Sequence, residues 1–337
     1  MFGFVFTISL WVFLQCSFLH SQQHIVYGQE DEHSRAICRK GKELFVGTNL
    51  GNIYRIKGNN IQKITLDKYP EIRDIQVFGN KLYVMQTGEV GKMLCFKKGI
   101  SSSYKLIHSQ TFTQDNQAVF LDGFHISRRG GFLMGDPVNG VFALYTLGAT
   151  NEWQPLPKVS SLEGEAAFAA SGSTVFIEGN TWYFVTGGIH SRFFTSTDKG
   201  NTWMSQALPF TSCISCGAYS MSVVSKRKNN VAKIILVGGD YTLPNNREHT
   251  SLIQSEGAFS WVKPQKLPFG YRSSVVFNKK TKVLFSGGSN GVDYSEDFGN
   301  TWIAMNTENC FAALTHREVL FVSTVGGKII KVKHTKK

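Results

Sequence analysis

The sequence predicts an all-β chain folded as a β-propeller of four-stranded antiparallel blades. Three observations lead there. First, short apolar runs that end on a small residue recur, from Leu44-Phe-Val-Gly47 to Leu320-Phe-Val-Ser-Thr-Val-Gly326. Their glycines, at 47, 88, 135, 187, 238, 287 and 326, are spaced by 41, 47, 52, 51, 49 and 39 residues. A period of roughly 40–50 with several short strands per unit marks a radial repeat of blades. Second, the pattern S-x-D-x-G-N-T-W at residues 196–203 returns 99 residues later at 295–302, each time after a Gly-Gly pair. Third, 33 glycines and 13% aromatic residues with only 18% charge suit a chain of strands and turns. Seven units give seven blades, with six or eight as alternatives.

Taken in order, residues 2–19 are apolar and uncharged. Residues 1–21 therefore read as a signal peptide cut near Ser21, giving a secreted or periplasmic protein. An uncleaved membrane anchor is the alternative, since about 18 apolar residues can just span a bilayer. Residues 22–32 form an N-terminal segment that could supply a ring-closing strand around 24–27. Residues 33–334 form a single propeller, and 335–337 a basic tail. In the sixth unit the strands are expected at 271–277, 282–285, 290–295 and 302–305. The last unit, 310–334, is short, which is why it would borrow a strand to remove an open sheet edge. Such a closed ring is expected to be monomeric.

The repeated octapeptide reads as a tight turn. Aspartate accepts backbone N–H bonds two residues on, glycine takes the positive-φ position, and tryptophan packs back beneath. Ser196, Asp198, Gly200 and Trp203, with Ser295, Asp297, Gly299 and Trp302, are thus assigned a structural role. Degenerate versions end at Trp153 and Trp261. Five cysteines follow residue 21, an odd and scattered set that is no disulfide framework. Cys213-Ile-Ser-Cys216 could form a local disulfide. No set of residues at ligand spacing points to a metal, and no dinucleotide, haem or flavin motif points to a cofactor.

The formal charge is +12. It favours anionic partners: an acidic protein, an acidic glycan or a membrane surface. Nucleic acid is set aside because no recognition motif is present. Runs such as Lys226-Arg-Lys228 and Lys279-Lys280 fall where hairpin turns are expected. Antiparallel strands alternate in direction, so first-strand starts and second-to-third loops share one face, here called near. The repeated turns lie on the opposite, far face. Arg35, Arg73, Asp122, Glu165 and Arg272 should then ring the channel mouth, joined by Arg192, Asp240 and Tyr241 from the loops. These charges either pair across a wet channel or read an anion, for which arginine is suited.

The octapeptide resembles the Asp-box, or BNR, repeat of sialidase-like propellers. Further stretches, Ile72-Arg-Asp-Ile75, Phe120-Leu-Asp-Gly123, Gly135-Asp-Pro137, residues 164–172, Gly238-Gly-Asp-Tyr241 and Gly270-Tyr-Arg-Ser273, resemble one subgroup of those propellers. It comprises bacterial secreted proteins similar to the photosystem II stability/assembly factor, often labelled oxidoreductases. The resemblance implies seven blades and an arginine patch that assists assembly, to which Arg73, Arg192 and Arg272 could contribute. It favours a non-enzymatic factor that binds a protein or anionic ligand. The alternative is a sialidase-type hydrolase or lyase acting on an acidic glycan. There the same three arginines would hold a carboxylate, with Tyr241 or Tyr271, Glu165 and Asp122 in the catalytic roles.

Overall fold

The structure, a computed structural model, describes residues 22–64, 70–99, 103–225, 232–254, 260–306 and 308–334. The signal-peptide segment, the basic tail, Lys226-Arg-Lys228 and most of the degenerate turn before Trp261 lie outside the described residues. Among the described residues there is no helix. Seven four-stranded antiparallel sheets follow one another as blades: 34–64, 72–111, 121–155, 175–207, 216–262, 274–306 and 312–333. The fold is the expected seven-bladed β-propeller. In the sixth blade the strands are Ser274–Asn278, Val283–Gly288, Gly291–Ser295 and Ile303–Asn306, within three residues of the sequence reading.

The seventh blade supplies only three strands of its own. Gln22–Val26 pairs antiparallel with its third strand, Gln22 opposite Val332 and Val26 opposite Lys328. The N-terminal strand thus becomes the outer strand of the last blade and closes the ring. Ile25 of this strand and Tyr27 just after it pack into the cluster between blades seven and one.

Each pair of neighbouring blades shares one hydrophobic cluster, so the core is a ring of seven interfaces rather than one centre. The first-strand residues near the axis add polar stitches. Gln76 of blade two donates to Ile126 O (2.6 Å) and accepts from Ile126 N (2.8 Å) of blade three. His125 Nδ1 accepts from Ile177 N at 2.8 Å, Ser220 Oγ from Val275 N at 2.8 Å, and Ser274 Oγ from Ala313 N at 3.2 Å. Each stitch satisfies an inner-strand N–H that has no ladder partner on the channel side.

The two repeated turns are nearly superimposable in their bonding. Ser196 Oγ donates to Asp198 Oδ1 (2.8 Å) and accepts from Gly200 N (2.7 Å), and Asp198 accepts from Thr202 N (2.9 Å) and Thr202 Oγ1 (2.7 Å). Ser295, Asp297, Gly299 and Thr301 repeat this at 2.7–2.8 Å. The aspartate thus reaches four residues on, not two, and serine takes the closer N–H. Two successive residues have positive φ, Lys199 (61°) with Gly200 (88°) and Phe298 (60°) with Gly299 (90°). The bonds from Thr202 and Ser196 hold the Asp198 carboxyl down at about 2. Trp302 is fully buried between blades five and six, and Trp203 is half-buried against Phe132 and Phe184.

Two elements escape the sequence reading. Residues Thr113–Gln114 and Gln117–Ala118 form an extra hairpin between blades two and three. In blade four the chain leaves the second strand at Val185, and Gly187–Gly188 joins blade five's sheet instead, flanked by Glu165–Ala166. A Cβ at Gly188 (φ 91°) would lie 2.2 Å from Gly164 O, so this crossing requires glycine.

Deleting Gln22–Val26 exposes the Lys328–Lys333 edge. The expected result is a fall in melting temperature of more than about 10 °C together with concentration-dependent association, read by thermal unfolding and size-exclusion chromatography. A monomer with unchanged melting temperature would contradict the ring-closing role.

Candidate functional site

The near face opens onto a cavity of about 560 Å³ at the channel mouth. First-strand starts position most of its polar lining: Arg35, Arg73, Asp122, Tyr271 and Ser273. Tyr241 enters from the second-to-third loop of blade five, and residues 166–170 form one wall. Arg35 and Arg73 stand side by side over a single carboxylate. Arg73 Nη2 is 2.9 Å from Glu71 and Arg35 Nε is 3.5 Å from it. Arg73 also donates to Ala169 O at 2.8 Å, and Arg35 lies over the Phe311 ring at 5.4 Å. Burial and then the neighbouring Arg73 guanidinium pull the Arg35 pKa down. One acid thus serves two cations, which leaves this corner positively charged.

The rest of the lining is partly aromatic. Phe168 stacks on Tyr219 at 4.1 Å, and Tyr271 meets Tyr219 edge-on at 4.8 Å. Tyr219 donates to Ser215 O at 2.7 Å, which ties the ring to the loop carrying Ile214. Ile214 is 83% exposed and reaches over the mouth. That loop is closed by a disulfide between Cys213 and Cys216, as the spacing allowed. The two sulfurs and the Asp240 carboxylate lie within 4.8 Å of one another. Because the sulfurs are bonded to each other, they are not thiolate ligands for a metal.

Several expected members of the site are elsewhere. Arg272 is fully buried. It bonds Asp293 through Nε (2.6 Å) and Nη2 (2.5 Å), and Nη1 donates to Tyr271 O and Asn290. A buried guanidinium must be paired, and Asp293 of its own blade does this better than a solvated mouth. Arg192 is turned onto Glu165, with Nε at 2.9 Å and Nη2 at 2.6 Å, and lies over Phe194 at 4.5 Å. Glu165 is therefore consumed by Arg192 and by Thr186 Oγ1 at 2.5 Å. Asp240 binds Ser215 and Thr242 beside the disulfide and does not line the cavity. The arginines that converge are 35 and 73, not 73, 192 and 272. Sequence could not show that Asp293 and Glu165 sit within reach of the other two.

Asp122 and Asp136 line the same cavity, and Asp74, beside Arg73 in sequence, is desolvated. Burial, then the adjacent Asp136, pushes the Asp122 carboxyl well up, with Arg73 opposing. Desolvation raises Asp136 to about 6 and Asp74 to about 7. Asp74 accepts from Ile75 N at 2.7 Å and Phe124 N at 3.2 Å, so it also joins blades two and three. Burial likewise pushes up the Tyr271 hydroxyl, which the arginines only partly offset.

No family model matches the chain, and no curated protein matches it in sequence. Solved structures do match its shape. One, titled "YCF48 bound to D1 peptide", aligns with a TM-score of 0.61 at 12% identity, over 94% of this chain and 97% of that one. Another, the computationally designed Ika8 protein, aligns at 0.55 with 9% identity, over 92% of this chain and 98% of its own. At these identities the likeness is one of fold.

The raised acids set a pH dependence. In the folded state they hold protons up to about pH 6–7, whereas unfolded aspartates release them near pH 4. The native state binds more protons across that window, so their contribution to stability falls as pH rises from about 4 to 7. Asp74→Asn, which can still accept one N–H bond, should gain stability relative to wild type as pH rises through this range. Thermal unfolding of both proteins from pH 4 to 8 reads the difference. A pH-independent difference would contradict the assignment.

Proposed function

We propose that this protein is a non-enzymatic propeller that binds a protein partner by an acidic segment, received in the near-face cavity on Arg35 and Arg73. The single observation that carries this reading is the shared carboxylate: among the described residues, Glu71 is the one acid in ion-pair contact with both guanidiniums. An incoming carboxylate would complete the charge balance, and arginine's planar fork suits such an acceptor. The aromatic wall of Phe168, Tyr219 and Tyr271 and the exposed Ile214 offer apolar contact for flanking side chains. The similarity in fold to YCF48 bound to the D1 peptide supports a peptide as the ligand class. The repeated turns of the Asp-box type would then serve only as clamps on the far side.

A sialidase-type enzyme is less well supported. Its carboxylate site would need three converging arginines, and two of the three candidates are held by Glu165 and Asp293. Tyr271, a candidate nucleophile, has its hydroxyl pKa raised rather than lowered.

An array of acidic peptides with matched Asn/Gln versions tests the proposal. Wild type should prefer the acidic set. Arg35→Ala and Arg73→Ala should each weaken that binding by about tenfold or more, the scale of a lost charged hydrogen bond, while Arg192→Ala should leave it unchanged. Equal binding of both peptide sets, or turnover of fluorogenic sialosides, would overturn it.

A further inference from the structure

The charge of +12 is not spread evenly. On the near face every one of the four inner arginines lies against a carboxylate: Arg35 and Arg73 share Glu71, Arg192 has Glu165 and Arg272 has Asp293. The far face differs. The turns between first and second strands carry Lys40 and Lys42 in blade one, Arg128 and Arg129 in blade three, and Lys279 and Lys282 in blade six. All six are exposed, and none has a carboxylate partner among the described residues. Several acids of this face are engaged, while Glu178 stands at the blade-four turn and Glu152 and Glu296 are exposed in the outer turns. Asp198 and Asp297 are closed inside their turns, Glu43 lies between Arg55 and Lys98, and Glu318 is 2.8 Å from Lys280.

Topology decides what such a set can meet. First and second strands are the innermost of each blade, so their turns encircle the axis at one level and face one way. A linear polyanion would touch part of this ring at a time, whereas a charged plane meets all of it together. The path of the chain adds a second observation. Gln22 pairs with Val332, one residue before Lys333 ends the third strand of blade seven. The chain therefore enters the propeller at the far face, straight after the uncharged apolar run at 2–19. Its last described residue, His334, leaves at the same face, 3.8 Å from Glu296 of the neighbouring far-face turn.

We propose that the far face docks on a membrane surface of anionic lipid headgroups, with Lys40, Lys42, Arg128, Arg129, Lys279 and Lys282 as its contact ring. The near-face cavity then points away from the bilayer. The contact is electrostatic, so it acts within a Debye length, about 8 Å at physiological salt, and salt reverses it.

Co-sedimentation of the full chain with vesicles tests this, using phosphatidylcholine alone and with increasing phosphatidylglycerol. Binding should rise with the anionic fraction and collapse in 1 M salt. Since each basic residue near such a surface contributes about fivefold in affinity, Lys40→Gln/Lys42→Gln should weaken it by roughly tenfold or more. The six-fold Gln variant should weaken it by at least about a hundredfold, with its melting temperature unchanged. Salt-insensitive binding that is equal on neutral vesicles would assign the interaction to the apolar leader and overturn the proposal. So would retention on a sulfated polysaccharide by a protein that ignores anionic vesicles. The salt and lipid series on wild type stand even if the six-fold variant misfolds.

Discussion

Ring closure is the constraint on which the rest of this structure depends. A blade on its own has two open edges and two apolar faces, and the faces are buried only because a neighbour stands on each side. The seven interface clusters are therefore mutually dependent, and Gln22–Val26 against Lys328–Val332 is where the two ends of the chain meet. Breaking that pairing leaves one sheet with an open edge and loosens the cluster it shares with blade one. It also fixes which face is which, because the first and last described residues, Gln22 and His334, lie at the far side.

The closed ring then divides its polar residues by burial. Inner-strand side chains must satisfy backbone groups along the channel, and Asp74, Gln76, His125, Ser220 and Ser274 do so across blade boundaries. Charges that are desolvated acquire partners, as Arg272 and Arg192 do. Those left at a half-open edge with one acid between them, Arg35 and Arg73, are available to a ligand. At the solvated far-side hairpins among the described residues, exposed lysines and arginines such as Lys40, Arg128 and Lys282 stand without a carboxylate partner.

The fold was legible because it repeats. The glycine spacing and the returning octapeptide sample the same local geometry several times, so blade number, strand order and the far-face position of the octapeptide turns could be read from one chain. The site was legible only in part. Strand direction placed Arg35, Arg73, Asp122 and Tyr241 at the channel mouth, and the cavity has them, but Glu165 and Arg272, expected there too, do not line it. Direction along a strand says nothing about where a long side chain turns, and Arg192 and Arg272 turn to acids distant in sequence, by 27 and 21 residues. Phe168, Tyr219 and Glu71 went unremarked because a wall residue or a shared counter-ion has no pattern of its own. The crossing at Gly187–Gly188 left a signal, its paired glycines, but the same pair before the second octapeptide pointed to the turn instead.

The most direct measurement of the central claim is site-specific photo-crosslinking to the acidic peptide bound most tightly. A photoreactive amino acid replaces Ile214 at the cavity mouth or Ile303 on an outer strand, both exposed. The account predicts an adduct from position 214, lost when Arg35 and Arg73 are replaced by alanine, and none from position 303. An adduct from 303 without one from 214, or one at 214 that survives loss of both arginines, would contradict it.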